Sequence, residues 1–301
     1  MKSPKHTQIL FFGVLPIVMT LLFILGCHSG RRQTQTVEMP VNTDVYPELQ
    51  PGQALVEIQT SQGLITVLLY ANTPIHRDNF LKLATEGFYD SLLFHRVIRN
   101  FVIQGGDPGS KKADRKTMLG NGDVGYTLPA EIQPGNYHKR GALGAARESD
   151  FVTPERESSG CQFYIVQGKT WTDSLLSTQA KRINKFRATN NIIRNPEHKN
   201  LVQRYKANMN NSPDSMKVIN AQLDKLIAKE LETLPSWEFS EEEKKIYKTK
   251  GGTPHLDGSY TVFGEVVRGM EVVDKIAALI TGDFDRPLTD VRIKKMRVLG
   301  K

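Results

Sequence analysis

The stretch FHRVIRNFVIQGGDP, residues 94–108, combines strand-forming residues with polar side chains that an ordinary buried strand does not need. Its mixture of β-branched, aromatic and polar residues predicts strand structure that is buried on one face. Arg96 and Gln104 lie on either side of Phe101. Burial of a guanidinium costs free energy, so such a group normally has a paired partner or a functional role. The stretch therefore indicates a site built from an arginine, a glutamine and an apolar wall, without a neighbouring nucleophile, acid pair or metal-ligand set.

The composition is that of a globular protein whose basic charge is concentrated in one segment. The chain has 301 residues, of which 39% are hydrophobic and 24% charged, and this length is enough to bury a sizeable core. Residues 169–250 hold 16 Lys and Arg against 10 Asp and Glu, which accounts for +6 of the net charge of +8. A charge of +6 over such a long segment is a weak field, so nucleic acid is not expected as a partner.

Residues 1–26 have the pattern of a bacterial lipoprotein signal peptide. A basic start is followed by an apolar run from Ile9 to Leu25, and the string ILGC ends at Cys27. We expect Cys27 to carry the lipid that anchors the chain in the membrane of a bacterial cell envelope, facing the periplasm or the outer surface. The alternative is a retained anchor helix, since the 17 residues of the apolar run lie at the short edge of a membrane span. Residues 27–52 are polar, contain proline and lack periodicity, which predicts a flexible tether.

Neither cysteine nor histidine suggests further chemistry. If Cys27 is lipidated, Cys161 has no partner for an intrachain disulfide, and its place in the strand-like run CQFYIV favours packing. His95 has no second histidine four residues on, and the seven histidines are scattered. We therefore expect no metal site and no cofactor, and we interpret His95 as a packing and hydrogen-bonding residue.

Short strand patterns and two helical patterns predict a mainly β domain over residues 53–300. Residues 54–70 alternate between apolar and polar side chains on both sides of Gly63, which predicts a β-hairpin. Helical patterns occupy residues 72–89 and 269–280. Many short strands with two helices favour a closed antiparallel β-barrel.

Residues 169–250 interrupt this β domain with a charged, α-helical insertion. Apolar residues in the run from Ser215 to Leu234 recur at steps of three and four, which predicts an amphipathic helix. The members of its apolar stripe are Ile219, Leu223, Leu226, Ile227, Leu231 and Leu234. Ser240 and Glu243 have the spacing of a helix capping box. The stripe is expected to pack within the insertion or on the β domain, and contact with an unknown protein partner is the alternative.

Four strings of the sequence closely resemble the cyclophilin-type peptidyl-prolyl cis-trans isomerases. They occur in the order that the family has and cover nearly all of the β domain outside the insertion. The resemblance implies an eight-stranded antiparallel β-barrel with a helix closing each end, and an active groove on the outer face of one sheet. The four strings are TPIHRDNFLKLATEGFYDSLLFHRVIRNFVIQGGDP at 73–108, GALGAAR at 141–147, SSGCQFYIVQG at 158–168 and HLDGSYTVFGEVVRGMEVVDKIA at 255–277.

The resemblance also implies which residues form the active groove. The catalytic residues that it implies are Arg96, Phe101 and Gln104. The pocket for the substrate proline would consist of Phe101, Val102, Tyr164, Leu256 and Tyr260. The rim that holds the substrate backbone would consist of Ala146, Arg147 and Gln162, with His255 as a further substrate-binding residue.

Four positions depart from the common pattern of the family. Tyr164 stands where many relatives have Phe, and Tyr260 stands where many have His. Ala145 replaces a Met. His255 occupies the position of a Trp that, in the best-known eukaryotic members, is important for binding cyclosporin. Because bacterial members often lack that Trp, this departure concerns inhibition by the drug rather than catalysis.

The function that the resemblance implies is peptidyl-prolyl cis-trans isomerisation in exported, proline-containing polypeptides as they fold. Rotation about an X–Pro bond breaks no covalent bond, so it needs neither a nucleophile nor proton transfer. A permanently charged guanidinium beside an apolar pocket suits such a reaction. The alternative hypothesis is a cyclophilin-like holdase or assembly factor in which the helical insertion binds partners.

Overall fold

The computed structural model describes residues 46–208 and 213–301, without the side chains of 213–215. The predicted signal peptide, Cys27 and the tether as far as residue 45 lie outside these ranges. Among these residues, no helix combines the length and the apolar character that crossing a bilayer requires.

Ten strands and six helices make up the regular structure of the described residues. The strands are β1 (Ala54–Thr60), β2 (Leu64–Leu69), β3 (Arg96–Ile98), β4 (Val102–Gly105), β5 (Thr127–Leu128), β6 (Ala142–Ala145), β7 (Ser158–Ser159), β8 (Phe163–Val166), β9 (Val262–Arg268) and β10 (Ile293–Gly300). The helices are α1 (Pro74–Thr85), α2 (Asp173–Arg194), α3 (Lys199–Asn208), α4 (Pro213–Thr233), α5 (Glu241–Thr249) and α6 (Met270–Ala277).

Eight of the strands form one curled antiparallel sheet in the order β10-β1-β2-β9-β6-β8-β4-β3. The edge strands β3 and β10 do not form a ladder with each other, but the segment that precedes β3 meets the residues around the start of β10. The backbone N–H of Phe94 donates to the carbonyl of Val291 at 2.9 Å, and that of Ile293 donates to the carbonyl of Leu92 at 2.8 Å. The prediction of a mainly β fold with an eight-stranded antiparallel sheet is confirmed, whereas the expected ladder of a fully closed barrel is not observed at this edge.

The main core lies on the concave side of the sheet, between α1 and α6. Successive residues of a strand point to opposite faces, and Phe163 on β8 belongs to the core face. Its ring lies 5.4 Å from that of Phe80, 5.5 Å from Tyr89 and 6.0 Å from Phe94, in edge-to-face geometry. α6 adds the buried Val273 to the same cluster. Both predicted helices of the β domain therefore exist, and each buries an apolar face against the sheet.

Helices α2 to α5 lie between β8 and β9, and the two ends of this helical segment meet. The N–H of Gly252 donates to the carbonyl of Lys169 at 2.9 Å, and the indole N–H of Trp171 donates to the carbonyl of Gly252 at 2.9 Å. The predicted capping box at the start of α5 is confirmed, since Ser240 and Glu243 each accept a hydrogen bond from the other's backbone N–H. The boundaries drawn at 169–250 stay a prediction.

The apolar stripe of α4 packs mainly inside the helical segment. Ile219, Leu223 and Ile227 are buried against α2, as predicted. Leu231 is 39% exposed, so its predicted place in the packed stripe is wrong. Leu226 and Leu234, on either side of it in the sequence, are partly buried against the same cluster, so Leu231 alone among the six residues of the stripe is exposed.

Replacement of Phe163 by Ala should lower the free energy of unfolding by about 3–5 kcal/mol, because it removes a ring at the centre of the aromatic cluster. Phe163 is 1% exposed, so its truncation leaves a cavity enclosed by core side chains. Urea unfolding monitored by circular dichroism measures the change. Phe186→Ala on α2, where the ring is 37% exposed, is the matched control and should cost less than about 1 kcal/mol. Equal losses for the two variants would contradict this description of the core.

Candidate active site

The predicted site residues are aligned by the register of three neighbouring strands. Arg96 on β3 pairs with Gln104 on β4, and Gln104 pairs with Tyr164 on β8. Directly paired residues of antiparallel strands project to the same face of a sheet. The guanidinium, the amide and the phenol ring therefore form a row on the face opposite the main core.

A small cavity of about 120 Å³ opens at this row. Nine of the eleven predicted site residues line it, namely Arg96, Phe101, Val102, Gln104, Ala146, Arg147, Tyr164, Leu256 and Tyr260. Its volume suits one small ring rather than a large side chain. Of the other two, His255 stacks on the Phe101 ring at 5.5 Å, and Gln162 lies beside the cavity. The tertiary structure thus brings the whole predicted set together, while the role of each residue stays a prediction.

The Arg96 guanidinium is held by groups on two sides. Its Nη1 donates to Gln104 Oε1 at 3.2 Å, and its Nε lies 3.4 Å from Asp285 Oδ2. The two partners of this ion pair are 38% and 47% exposed, and pairs with that exposure contribute little free energy. A substrate can therefore compete with Asp285 for the guanidinium at small cost.

A chain of amide hydrogen bonds continues from Gln104 to a surface loop. Gln104 Nε2 donates to Gln162 Oε1 at 3.1 Å, and Gln162 Nε2 donates to the carbonyl oxygens of Gly120 and Gly122 at 2.8 and 2.7 Å. The carboxylate of Asp107 in turn accepts from the backbone N–H groups of both glycines. Asp107 therefore holds the loop that orients Gln162. The sequence analysis missed this role, although an Asp between glycine and proline is a common signal for a side chain that caps backbone N–H groups.

Arg147 forms part of the pocket wall through its position over an aromatic ring. Its guanidinium carbon lies 4.4 Å from the centroid of the Tyr260 ring. The same guanidinium donates to the carbonyl of Ser259 at 2.7 Å and pairs with Asp150 at 2.7 Å. These contacts occupy the charged group, so Arg147 is placed to hold Tyr260 against the cavity.

Two further hollows adjoin the small cavity and extend it into a groove. One has a volume of about 730 Å³ and shares Arg96, Gln104 and Arg147 with the cavity. The other has a volume of about 120 Å³ and shares Gln104, Ala146 and Arg147. Both hollows are also lined by Gly120 and Asn121, so the groove leaves room for a polypeptide beyond a residue seated in the cavity.

Comparison with known proteins agrees with this geometry. The family model described as cyclophilin type peptidyl-prolyl cis-trans isomerase/CLD matches residues 55–186 and 244–298. The chain belongs to the cyclophilin-type peptidyl-prolyl cis-trans isomerases. Both parts of the match include predicted site residues, and only residues 187–243 within the helical segment separate them. Isomerisation of X–Pro bonds is the activity of this family.

Several named proteins are similar to this chain. A provisionally named peptidyl-prolyl cis-trans isomerase of Staphylococcus aureus (strain USA300) is 28% identical over 258 residues, which cover 84% of this chain and 98% of the relative. A provisionally named bifunctional phosphatase/peptidyl-prolyl cis-trans isomerase of Streptococcus pyogenes serotype M6 is 30% identical over 246 residues, 81% of this chain and 38% of that protein. The crystal structure of a Cryptosporidium parvum cyclophilin type isomerase covers 83% of this chain and 99% of its own, with 18% identity and a TM-score of 0.47.

Two buried residues close to the cyclophilin site are not suited to acid–base or nucleophilic chemistry. Burial lowers the pKa of His95 to about 4, and neither ring nitrogen has a hydrogen-bond partner among the described residues. The packing role expected for His95 agrees with its burial. The backbone of Leu93 acts to raise the pKa of the ring without meeting hydrogen-bond geometry, so the expected hydrogen-bonding role stays a prediction. Burial raises the pKa of the Cys161 thiol to about 11, which agrees with packing. The described part of the chain holds no cluster of three or more His, Cys, Asp or Glu side chains suited to a metal ion.

Burial also lowers the pKa of His76 and His255, so the free energy of unfolding should fall as the pH is lowered from about 7 to 5, and His95 should supply one share of this fall. The unfolded chain binds a proton at this residue below its ordinary pKa of 6.5, whereas the folded chain stays neutral until about pH 4. The unfolded state therefore binds more protons in this pH window, and the contribution of His95 to the fall in the free energy of unfolding should reach about 1–2 kcal/mol. Urea unfolding at several pH values measures it. His95→Gln should reduce the slope and His198→Gln should leave it as it is; an unchanged slope in His95→Gln would contradict the assignment.

Proposed function

We propose that this cyclophilin accelerates rotation about X–Pro bonds by stabilising the twisted amide with Arg96 while the proline ring sits in the apolar cavity. The observation that carries the proposal is the row formed by Arg96, Gln104 and Tyr164 around a cavity of about 120 Å³. The row supplies a cation, an orienting amide and an apolar surface side by side.

The chemistry of the reaction explains why these groups suffice. Rotation about the peptide bond breaks amide resonance over a barrier of about 18–20 kcal/mol. In the twisted state the prolyl nitrogen regains a localised lone pair, which an N–H of Arg96 can meet. A guanidinium stays protonated at any working pH, so no proton needs to move. Catalysis then results from binding the twisted amide more tightly than either planar form.

The rate enhancement that isomerisation requires is one that these groups can supply. Bringing a process of tens of seconds to milliseconds is a factor of about 10⁴, or roughly 5–6 kcal/mol. A hydrogen bond to a charged group contributes about 1.5–3 kcal/mol. The remainder is assigned to orientation, since Phe101 and its neighbours hold the ring while Gln104 holds the guanidinium.

Arg96→Ala should lower kcat/KM for a short proline peptide at least tenfold without unfolding the chain, because it removes the donor to the prolyl nitrogen. Arg96→Lys should recover only part of the loss, since an ammonium lacks the planar fork that Gln104 orients. Exchange NMR of the cis and trans peptide signals with the full-length chain measures the rate. Arg99→Ala, an exposed arginine of the same hairpin, is the control. Turnover by Arg96→Ala equal to that of the Arg99 variant would refute the mechanism.

The proposal also includes export and a lipid anchor, which would bring the enzyme to exported polypeptides. What supports it is the basic start, the apolar run and the string ILGC ending at Cys27. This part of the proposal rests on the sequence alone.

Cys27→Ala should abolish incorporation of a labelled fatty acid. The variant should then either appear in the soluble fraction, if the signal peptide is still removed, or accumulate as an uncleaved precursor. The physical reason is that the thiol is the acyl acceptor of the expected lipoprotein. Metabolic labelling in a bacterial host followed by fractionation measures both effects. Equal labelling of Cys27→Ala and the unchanged chain would overturn the lipid anchor. Membrane retention without any label in the unchanged chain would favour the retained helix.

A partner-binding role for the helical segment stays the alternative hypothesis. A holdase would protect an unfolding client even when Arg96 is replaced, whereas the isomerase would lose its effect on the client. The contacts of this segment with the pocket, described next, point to a role in the enzyme itself.

A further inference from the structure

A buried chain of hydrogen bonds runs from the helical insertion to the floor of the proline pocket. The hydroxyl of Tyr247 on α5 donates to Asp257 Oδ2. Asp257 Oδ1 lies 2.8 Å from Nδ1 of His138 and also accepts from its backbone N–H at 2.9 Å. His138 Nε2 lies 2.9 Å from the hydroxyl of Tyr164, which lines the cavity. All four residues are buried.

The direction of each bond follows from the chemistry of the groups. A carboxylate only accepts, so His138 donates to Asp257 from Nδ1. With Nδ1 as the donor, the other ring nitrogen, Nε2, can accept the proton of the Tyr164 hydroxyl. Burial raises the pKa of both Tyr164 and Tyr247 well above 10, so both phenols remain donors. The chain is thus complete from end to end, and a break at any point leaves a buried polar group without its partner.

The Tyr164 ring is closely packed at a position where a small displacement would change the shape of the cavity. Its ring fills a gap beside Gly144, where a Cβ atom would collide with the phenol. The ring also meets that of Tyr260 edge-to-face at 6.1 Å. In a cavity of about 120 Å³, a shift of this ring changes the contact made with a proline.

The insertion also contacts a second wall of the pocket. α2 packs against the short 3-10 segment Pro254–Leu256, which supplies Leu256 to the cavity and His255 to the Phe101 stack. The backbone N–H of Trp171, which precedes α2, donates to the carbonyl of Tyr247 at 3.2 Å. The start of the insertion is thereby tied to the residue that begins the buried chain.

We propose that Tyr247 is a positioning residue for isomerisation: from the insertion it holds Asp257 and His138, and through them it sets the position of Tyr164 against the proline ring. The helical insertion is then part of the machinery of the pocket. This inference rests on the proposed function, because it takes the cavity as the proline site.

The test is a double-mutant cycle on the full-length chain with Tyr247→Phe and Tyr164→Phe. Each variant keeps the ring and removes one hydroxyl. We expect Tyr247→Phe to raise KM for a short proline peptide about 3–10-fold with kcat changed less than twofold, because pocket geometry is altered while Arg96 is untouched. In the Tyr164→Phe background the added Tyr247→Phe change should have little further effect, since the series of hydrogen bonds to the pocket is already broken at Tyr164.

The control is Tyr205→Phe on α3, whose ring stacks on Phe151 at 3.8 Å away from the chain. It should leave KM unchanged. Urea unfolding of each variant separates a loss of stability from a loss of binding. An unchanged KM in Tyr247→Phe, or effects on KM that add fully in the double variant, would overturn the proposal.

A second measurement covers the case in which Tyr247→Phe folds poorly. The side-chain nitrogen resonances of His138 should show a protonated Nδ1 and an acceptor Nε2 in the unchanged chain. Tyr164→Phe should shift the Nε2 signal and raise KM. An unshifted Nε2 signal would refute the hydrogen bond between His138 and Tyr164 and with it the proposal. Failure of the proposed function has a different signature, since Arg96→Ala would then retain full turnover whatever the result for Tyr247.

Discussion

The register that pairs β3, β4 and β8 is the constraint on which both the core and the site depend. It places Arg96 beside Gln104 and Gln104 beside Tyr164 on one face of the sheet. The same register sends Ile103 and Phe163 into the main core on the other face. A slip of one residue would exchange the two faces and bury the guanidinium among aromatic rings. The free energy that stabilises the core therefore also specifies the geometry of the cyclophilin pocket.

The proposed mechanism depends on orientation, and the contacts around the cavity suit it. Arg96 is oriented by Gln104, Gln104 by Gln162, and Gln162 by a glycine loop that the Asp107 carboxylate holds. None of these contacts requires a proton to be transferred. A reaction that only rotates a bond depends on how well the transition state is bound, so rigidity of the surrounding groups contributes directly to rate.

The helical insertion lies close to this site for a topological reason. It connects β8, which carries Tyr164, to the segment that carries Leu256 and Tyr260, and its ends meet at Lys169 and Gly252. Helices placed there pack naturally on the pocket wall. Tyr247 reaches Asp257 because only a short turn separates α5 from the 3-10 segment, so an inserted element has become continuous with the binding site.

The sequence by itself determined the strands, the hairpin at Gly63, the capping box of α5 and the set of residues that surround the cavity. The strands, the hairpin and the capping box depend on local periodicity and on short motifs, whereas the residues around the cavity were implied by the resemblance of four strings to the cyclophilins. Only the tertiary structure decided which polar groups find partners: His138 meets Asp257 across 119 residues, whereas His95 meets none. It also decided that Leu231 stays exposed and that β3 and β10 do not form a ladder with each other. Such outcomes depend on which faces of distant elements come together, and the pattern within a single element carries no information about them.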